Sequence, residues 1–485
     1  MEIKQDYKPS RREVLTNNGT PGTIDESQYQ SFKRDGKVIE EEGKTPIVNI
    51  FKEKNEERKE SRIFTRRGQA KTFIESQPLH YDRASLWWKW SKIEKYWELS
   101  DEIDILNNIE RDLGVDTISS KDKAEILNAL KQEARKNEPE PAKKSWIQFK
   151  NGIVDIENSE SILVPNSKYF ITNPIPWNIS DNENTPNIDK LFEQWVGEDY
   201  KKTLYQIVAY CLLPEYPIHR LFCFVGEGLN GKGTFLRLIN KFVGENNVTS
   251  TELDTLLNSR FEMTRLHKKL ICQMGETNFA EMKKTSMLKK LTGGDLIGFE
   301  YKNKNPFSDY NYAKILISTN NLPTTSDKTI GFYRRWFIID FPKRFSEKIE
   351  VLNTIPDEEF ENLGRKCINI LKDLTSTREF HLEGTIEERM KRFEDRSNPL
   401  DKFIKEFVTE DYEGFVWKGE FERKLNDWCK ENRFRQLSEV AIGKKMKEKG
   451  INQERKYASW MENPEKRVRA WVGIKWKHLN TTTTT

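Results

Sequence analysis

A chain of 485 residues is too long for one ordinary core and predicts two to four domains. Lys and Arg total 81 against 77 Asp and Glu, so a net charge of +4 neither marks nor excludes a nucleic-acid partner. Mean hydropathy of -0.80, no run near the roughly 18 apolar residues of a membrane span, and a charged start without an apolar stretch argue against membrane insertion and secretion, leaving a soluble cytoplasmic protein as the expectation.

Residues 1–75 are rich in Lys, Glu, Arg, Gly and Ser without sustained periodicity, which predicts a flexible segment. From Gln77 onwards Tyr81, Trp87, Trp88, Trp90, Tyr96 and Trp97 crowd together, either packing a small β-rich module or stacking on bases. Apolar spacing at Ile103, Leu106, Ile109 and Leu113, then at Ile126, Leu127 and Leu130, predicts two helices that end at NEPEPAKK. WIQFKNGIVDI, Trp146 to Ile156, reads as a strand pair with Asn151-Gly152 as its hairpin signal. Residues 186–213 read as helical and stop at Pro214, closing an N-terminal α+β/helical domain over 76–214.

From Ile218 to about Phe345 strands and helices alternate around a Gly-rich loop and a hairpin, the pattern of a parallel α/β sheet, and the core is placed at 215–350. A helical connector over 351–397 runs to the break at Asn398-Pro399. The stretch 398–478 predicts three helices and then a strand pair, a winged-helix order, and the tail 479–485 ends in low-complexity TTTTT. Five singly placed cysteines (Cys211, Cys223, Cys272, Cys367, Cys429) read as reduced packing residues, and five dispersed histidines form no transition-metal ligand pattern.

The chemistry concentrates in LFCFVGEGLNGKGTFLRLI. An apolar strand, the frame G-x-x-x-x-G-K and a helix starting near Lys232 make a P-loop. Gly226, Gly228, Gly231 and Gly233 let backbone N–H groups turn towards phosphate oxygens, the helix offers its positive end, and Lys232 reaches the β and γ phosphates of ATP. Gly233 stands where Ser or Thr ordinarily meets Mg2+, so Thr234 is the nearest candidate hydroxyl. KLICQMGETN ends a second strand in Glu276, 44 residues after Lys232, where an acid holds Mg2+ or polarises the attacking water. AKILISTNNLP delivers Asn320 and Asn321 to the same edge to orient that water. GFYRRWFIIDF places Arg334 and Arg335 before another strand, as arginine fingers given across a subunit boundary.

In this order and spacing the elements resemble superfamily 3 helicases, specifically the phage, plasmid and poxvirus primase-helicase family. Gly226, Gly228, Asn230, Gly231, Lys232, Gly233, Thr234 and Phe235 align with the family's G-x-G-x-N-G-K loop. KKLTGGDLIGFEYKNKNPF, Thr319 to Pro323 and Gly331 to Arg335 match its further motifs. The resemblance implies an AAA+-like ATPase ring, a homo-oligomer expected to be a hexamer, using ATP and Mg2+ and moving 3′ to 5′ on single-stranded DNA in a prokaryotic host. It also implies a pore hairpin carrying Lys302 and Lys304 with Lys289 and Lys290 on the preceding helix. The winged-helix module adds Lys444, Lys445, Arg467 and Arg469. The 75 polar residues upstream leave no room for a primase domain, so a separate primase or polymerase is an expected partner.

Two functions remain open, a replicative helicase of a virus, plasmid or integrated element and an ATP-controlled origin-binding initiator with little unwinding. A small-molecule phosphotransferase is disfavoured by the asparagine sensor, the arginine pair and the lysine hairpin.

Overall fold

The computed structural model describes residues 12–15, 21–24, 65–113, 119–226, 228–275, 281–282, 285–320, 322–346, 351–431, 434, 436–457 and 467–477. The chain divides into two compact units: Met1–Leu79 with Asp101–Asn137, and His80–Ser100 with Glu138–Thr485.

In the first unit the described residues include three helices, α1 (Thr65–Ser76), α2 (Glu102–Leu113) and α3 (Ser120–Lys136). The Ser119 hydroxyl caps α3 by accepting from the Asp122 N–H at 3.2 Å, satisfying one of the donors a helix start leaves over. Ile105, Ile109, Ile126 and Leu130 are buried, whereas Ile103 is 68% exposed. The apolar face of α2 thus runs through the i, i+4 pair Ile105 and Ile109, and the expected stripe through Ile103 is off by part of a turn. Arg66 pairs with Asp122 and with Glu125 at 3.4 Å, tying α1 to α3.

The second unit opens with the antiparallel strands β1 (Trp87–Trp90) and β2 (Trp97–Ser100). Trp87, Trp88, Trp90 and Trp97 are buried, and the Trp88 and Trp97 indoles donate to Asp82 (2.8 Å) and to the Tyr169 carbonyl (3.0 Å). The aromatic crowd is therefore packed core. Three strands follow, β3 (Trp146–Phe149), β4 (Gly152–Asp155) and β5 (Asn158–Leu163). Phe149 pairs with Gly152, so the turn residues are Lys150 and Asn151 and the expected Asn-Gly turn is shifted by one. Gly152 serves packing instead, since a Cβ there would lie 2.1 Å from the Ile162 side chain.

Helices α4 (Pro186–Val196) and α5 (Glu198–Cys211) lead into β6 (Leu221–Val225), α6 (Lys232–Val243), β7 (Val248–Ser250) and β8 (Ile271–Met274). Next come α7 (Thr285–Leu291), the hairpin β9 (Leu296–Phe299) and β10 (Phe307–Tyr310), β11 (Lys314–Thr319), the short α8 (Ile330–Tyr333) and β12 (Trp336–Asp340). Five strands form one parallel sheet in the order β7-β8-β11-β6-β12. Each residue of β6 is buried: Phe222 and Phe224 join the cluster containing Phe235 and Ile239 of α6, and Leu221, Cys223 and Val225 join that of Leu288 and Leu291 of α7. Burial on both faces explains the continuous apolar run LFCFV. Within this sheet Lys314 is fully buried, its ammonium donating to the carbonyls of Leu213, Glu215 (2.7 Å) and Tyr312 (3.0 Å) over the Tyr210 ring.

Beyond the sheet, α9 (Asp357–Thr377) and α10 (Ile386–Ser397) precede α11 (Pro399–Phe407), β13 (Val408–Trp417), α12 (Lys418–Glu431), α13 (Glu439–Glu448), β14 (Gln453–Tyr457) and β15 (Arg467–Trp476). The last three strands form an antiparallel sheet in the order β13-β15-β14. Strand β13 was not expected from sequence: its register shifts between Glu410 and Phe415, and acidic residues with a fully exposed Tyr412 erase the period-2 signal. Among the described residues no helix is long and apolar enough to cross a membrane.

Candidate functional site

The loop between β6 and α6 is built by close approach. A Cβ on Gly226 would lie 2.2 Å from the Asn230 amide and 2.5 Å from the Phe341 carbonyl, so only glycine fits. Gly231 has φ of 92°, and a Cβ there would meet the Trp195 ring at 2.5 Å. Asn230 is buried and donates to the Phe341 carbonyl at 3.3 Å, locking the loop to the end of β12. Lys232 is also buried, its ammonium folded back onto the Gly226 carbonyl (2.5 Å) and the Asn230 side-chain oxygen (3.2 Å). Gly233 is exposed with nothing within 4 Å of its missing Cβ, and the Thr234 hydroxyl accepts from Arg237 at 3.3 Å. Gly228 lies half-buried in the same turn.

Parallel pairing fixes what else reaches this C-terminal edge of the sheet. Val225 pairs with Thr319 on one side and with Asp340 on the other, so Asn320 follows directly beside the loop. Glu276 and Asn321 lie outside the described residues; β8, which leads to Glu276, ends at Met274 on the same edge. Sequence reasoning missed Asp340, which accepts from Arg392 and Arg396 of α10, both at 2.6 Å. Its only sequence signal was an acid closing an apolar strand.

The arginine pair stands at the opposite edge. Leu221 pairs with Trp336, and Arg334 and Arg335 precede that residue. Strands β6 and β12 have five residues each, so roughly 16 Å of strand at ~3.3 Å per residue separates the pair from the loop of its own chain. The two arginines differ in their surroundings. Arg335 is 7% exposed and donates to the Thr292 hydroxyl (2.9 Å), the Lys289 carbonyl (3.1 Å) and the Gly331 carbonyl. Burial, and then the charge of Arg334, lowers its pKa. Arg334 is half-buried, and its Nε has no hydrogen-bond partner among the described residues. His219, also missed from sequence, sits close enough that burial, then Arg335 and Arg334, push its imidazole below the ordinary range.

The candidate DNA-contacting lysines divide in the same way. Lys302 and Lys304 are exposed in the turn between β9 and β10, and Lys290 is exposed on α7. Lys289 instead pairs with Asp327 at 2.5 Å and donates to the Thr329 hydroxyl at 2.9 Å. Burial raises the Asp327 pKa, but bonds from Lys289, Thr285 and Thr329 outweigh it and hold the carboxyl well below its usual range. On α13, Lys444 is exposed while Lys445 donates to the Asn398 side chain at 2.9 Å, with burial lowering its pKa. Arg467 is exposed and Arg469 is exposed on β15. The hairpin base is fastened by His267, whose ring nitrogens lie 3.1 Å from the Tyr301 hydroxyl and 3.3 Å from Asp309. No group of three or more His, Cys, Asp or Glu side chains among the described residues is placed to hold a metal ion.

A parallel sheet in a mixed α/β unit, with a glycine-rich loop at its C-terminal edge, is an arrangement consistent with an α/β nucleotide-binding core. Two family models then match parts of the chain: one described as D5 N terminal like over residues 26–198, and one described as a family of unknown function (DUF5906) over residues 224–335. The second span contains the loop, Asn320 and both arginines. Among solved structures, the chain is similar to the A form apo structure of the NrS-1 C terminal region, with 14% identity over 84% of this chain and 98% of that one and a TM-score of 0.43. A further apo structure of the same region gives 14% identity, the same coverage and a TM-score of 0.42.

Proposed function

We propose that this chain is a replication protein of a virus, plasmid or integrated element: a superfamily 3 DNA helicase driven by ATP. One observation carries the reading. The loop leaves the C-terminal edge of β6 while Arg334 stands at the N-terminal edge of the neighbouring strand, too far to meet one nucleotide within one chain. Such an arrangement makes sense when each site is shared by two subunits meeting head to tail, the interface type that closes into a ring. The D5 N terminal like match supports the replication context.

In this reading the loop amides and the positive end of α6 hold the phosphates of ATP, and Lys232 exchanges its carbonyl partners for the β and γ oxygens. Asn320 orients the attacking water, with Glu276 as its polarising base, and Arg334 of a neighbouring copy stabilises charge developing on the transferred phosphoryl group. Mg2+ when bound neutralises phosphate charge; Thr234 and Glu276 are the residues to hold it. A donor set this sparse fits an ion carried largely by substrate oxygens and water. Lys290, Lys302 and Lys304, repeated around a hexameric ring, line a channel for single-stranded DNA traversed 3′ to 5′. The residues from α11 to β15 have the helix and strand order of a winged helix and offer duplex DNA Lys444, Arg467 and Arg469. Lys289 and Lys445 are assigned to internal bonds and not to DNA.

The test is DNA-stimulated ATP hydrolysis measured together with strand displacement on a 3′-tailed fork. Displacement that stops in Lys232→Ala supports the helicase. Hydrolysis stimulated by DNA without displacement overturns it in favour of the origin-binding initiator.

A further inference from the structure

The segment Phe341-Pro342-Lys343-Arg344-Phe345 follows β12 and runs beside the glycine-rich loop. Three hydrogen bonds join it to the loop and to the end of β6, two of them between backbone groups. The Phe341 N–H donates to the Val225 carbonyl at 2.8 Å, the Asn230 amide donates to the Phe341 carbonyl at 3.3 Å, and the Phe345 N–H donates to the Leu229 carbonyl at 2.7 Å. Both ends of the segment are anchored in apolar core. Phe341 is buried with its ring 5.8 Å from Phe224 and 5.9 Å from Phe235, and Phe345 packs partly buried against the same cluster. Between these anchors Pro342, Lys343 and Arg344 are exposed.

Leu229, the residue bonded to Phe345, has φ of 63°. A left-handed leucine is disfavoured by contact between its Cβ and the following carbonyl, so the loop holds that shape because something outside it fixes the backbone. The five-residue segment supplies that constraint. It also brings two long cationic side chains within one or two residues of the bonded Leu229 carbonyl.

We propose that Lys343 and Arg344 form a second wall of the nucleotide site and bind the phosphates of a nucleoside di- or triphosphate from the same chain that supplies the loop. This rests on the nucleotide reading of the loop given above and adds to it two cations of the segment that follows β12 beside the loop. The chemistry favours phosphate over base: an ammonium and a guanidinium complement oxyanions, and their charge-assisted bonds are about twice as strong as neutral ones. The anchoring by Phe341 and Phe345 means the backbone that carries the cations needs little ordering when phosphate arrives.

The experiment titrates the full chain with a fluorescent ADP analogue and competes it with ADP, ATP and adenosine. The double substitution Lys343→Ala with Arg344→Ala is expected to weaken ADP and ATP at least tenfold, about 1.4 kcal/mol, and to leave adenosine unchanged. Lys343→Arg with Arg344→Lys is expected to stay close to wild type. ADP binding that is unaltered in the double alanine variant, while Lys232→Ala weakens it, overturns this proposal alone. Equal weakening of ADP and adenosine also overturns it, because that marks a distorted loop. A wild-type chain that binds no nucleotide instead sinks the nucleotide reading beneath it.

Discussion

If the site is shared between subunits, two inactive variants restore one another, and the size of the recovery follows from geometry. Lys232→Ala removes the ammonium at the C-terminal edge of β6, and Arg334→Ala removes the guanidinium at the N-terminal edge of β12. Each variant alone leaves every interface dead. In an equal mixture an interface works when an Arg334→Ala subunit gives the loop and a Lys232→Ala subunit gives the arginine. Random assembly makes that about one interface in four, whatever the ring size, because a head-to-tail contact takes one half-site from each neighbour. Mixing the two purified proteins, with dissociation and reassembly, should therefore recover about a quarter of wild-type hydrolysis measured by phosphate release. No recovery at any ratio would refute the reasoning, since a loop and arginine of one chain cannot complement each other by mixing.

Arg335→Ala should destabilise the fold by about 1–3 kcal/mol, because it leaves the Lys289 and Gly331 carbonyls without their guanidinium donor. Denaturant unfolding that shows less than about 1 kcal/mol would contradict that role. Replacing Lys302 and Lys304 by Ala should lower the steepness of the salt dependence of single-stranded DNA binding by about 1.4 per engaged subunit, at ~0.7 per phosphate contact. An unchanged slope in fluorescence anisotropy would place the DNA elsewhere. Burial pushes the His267 pKa down against its bond to the Asp309 carboxylate, so the unfolded chain takes up the proton more readily. Stability should fall as pH drops below about 6.5, the unperturbed imidazole value, and His267→Gln should flatten melting temperature against pH in that window.

The parallel sheet and the glycine-rich loop were legible because each depends on short-range sequence. LFCFV has to be apolar throughout to be buried on two faces, and the glycines are set by backbone approach. Which charged residues are tied down was not legible, because their partners are distant in sequence. Arg335 meets Thr292, 43 residues away, Lys445 meets Asn398, and Asp340 meets Arg392 and Arg396. Lys314 shows the same limit: at the head of an apolar strand it reads as a surface charge, and only its three carbonyl partners reveal a buried tie. Local pattern failed at β13, where a register shift breaks the alternation, and at Lys150-Asn151, where the Asn-Gly signal lay one residue from the true turn.

Helix α10 is fastened at both ends of the sheet. Near its start Arg389 shares Glu383 with Arg220, the residue before β6, and near its end Arg392 and Arg396 hold Asp340. Twelve residues at ~1.5 Å each make a bar about 18 Å long, bolted alongside β12 from one edge to the other. The next helix begins one residue later, with Asn398 ending the first and starting the second. The bar thus hands over to the helix behind it at Asn398, and Lys445, far along the following residues, reaches back to hold the side chain at that handover.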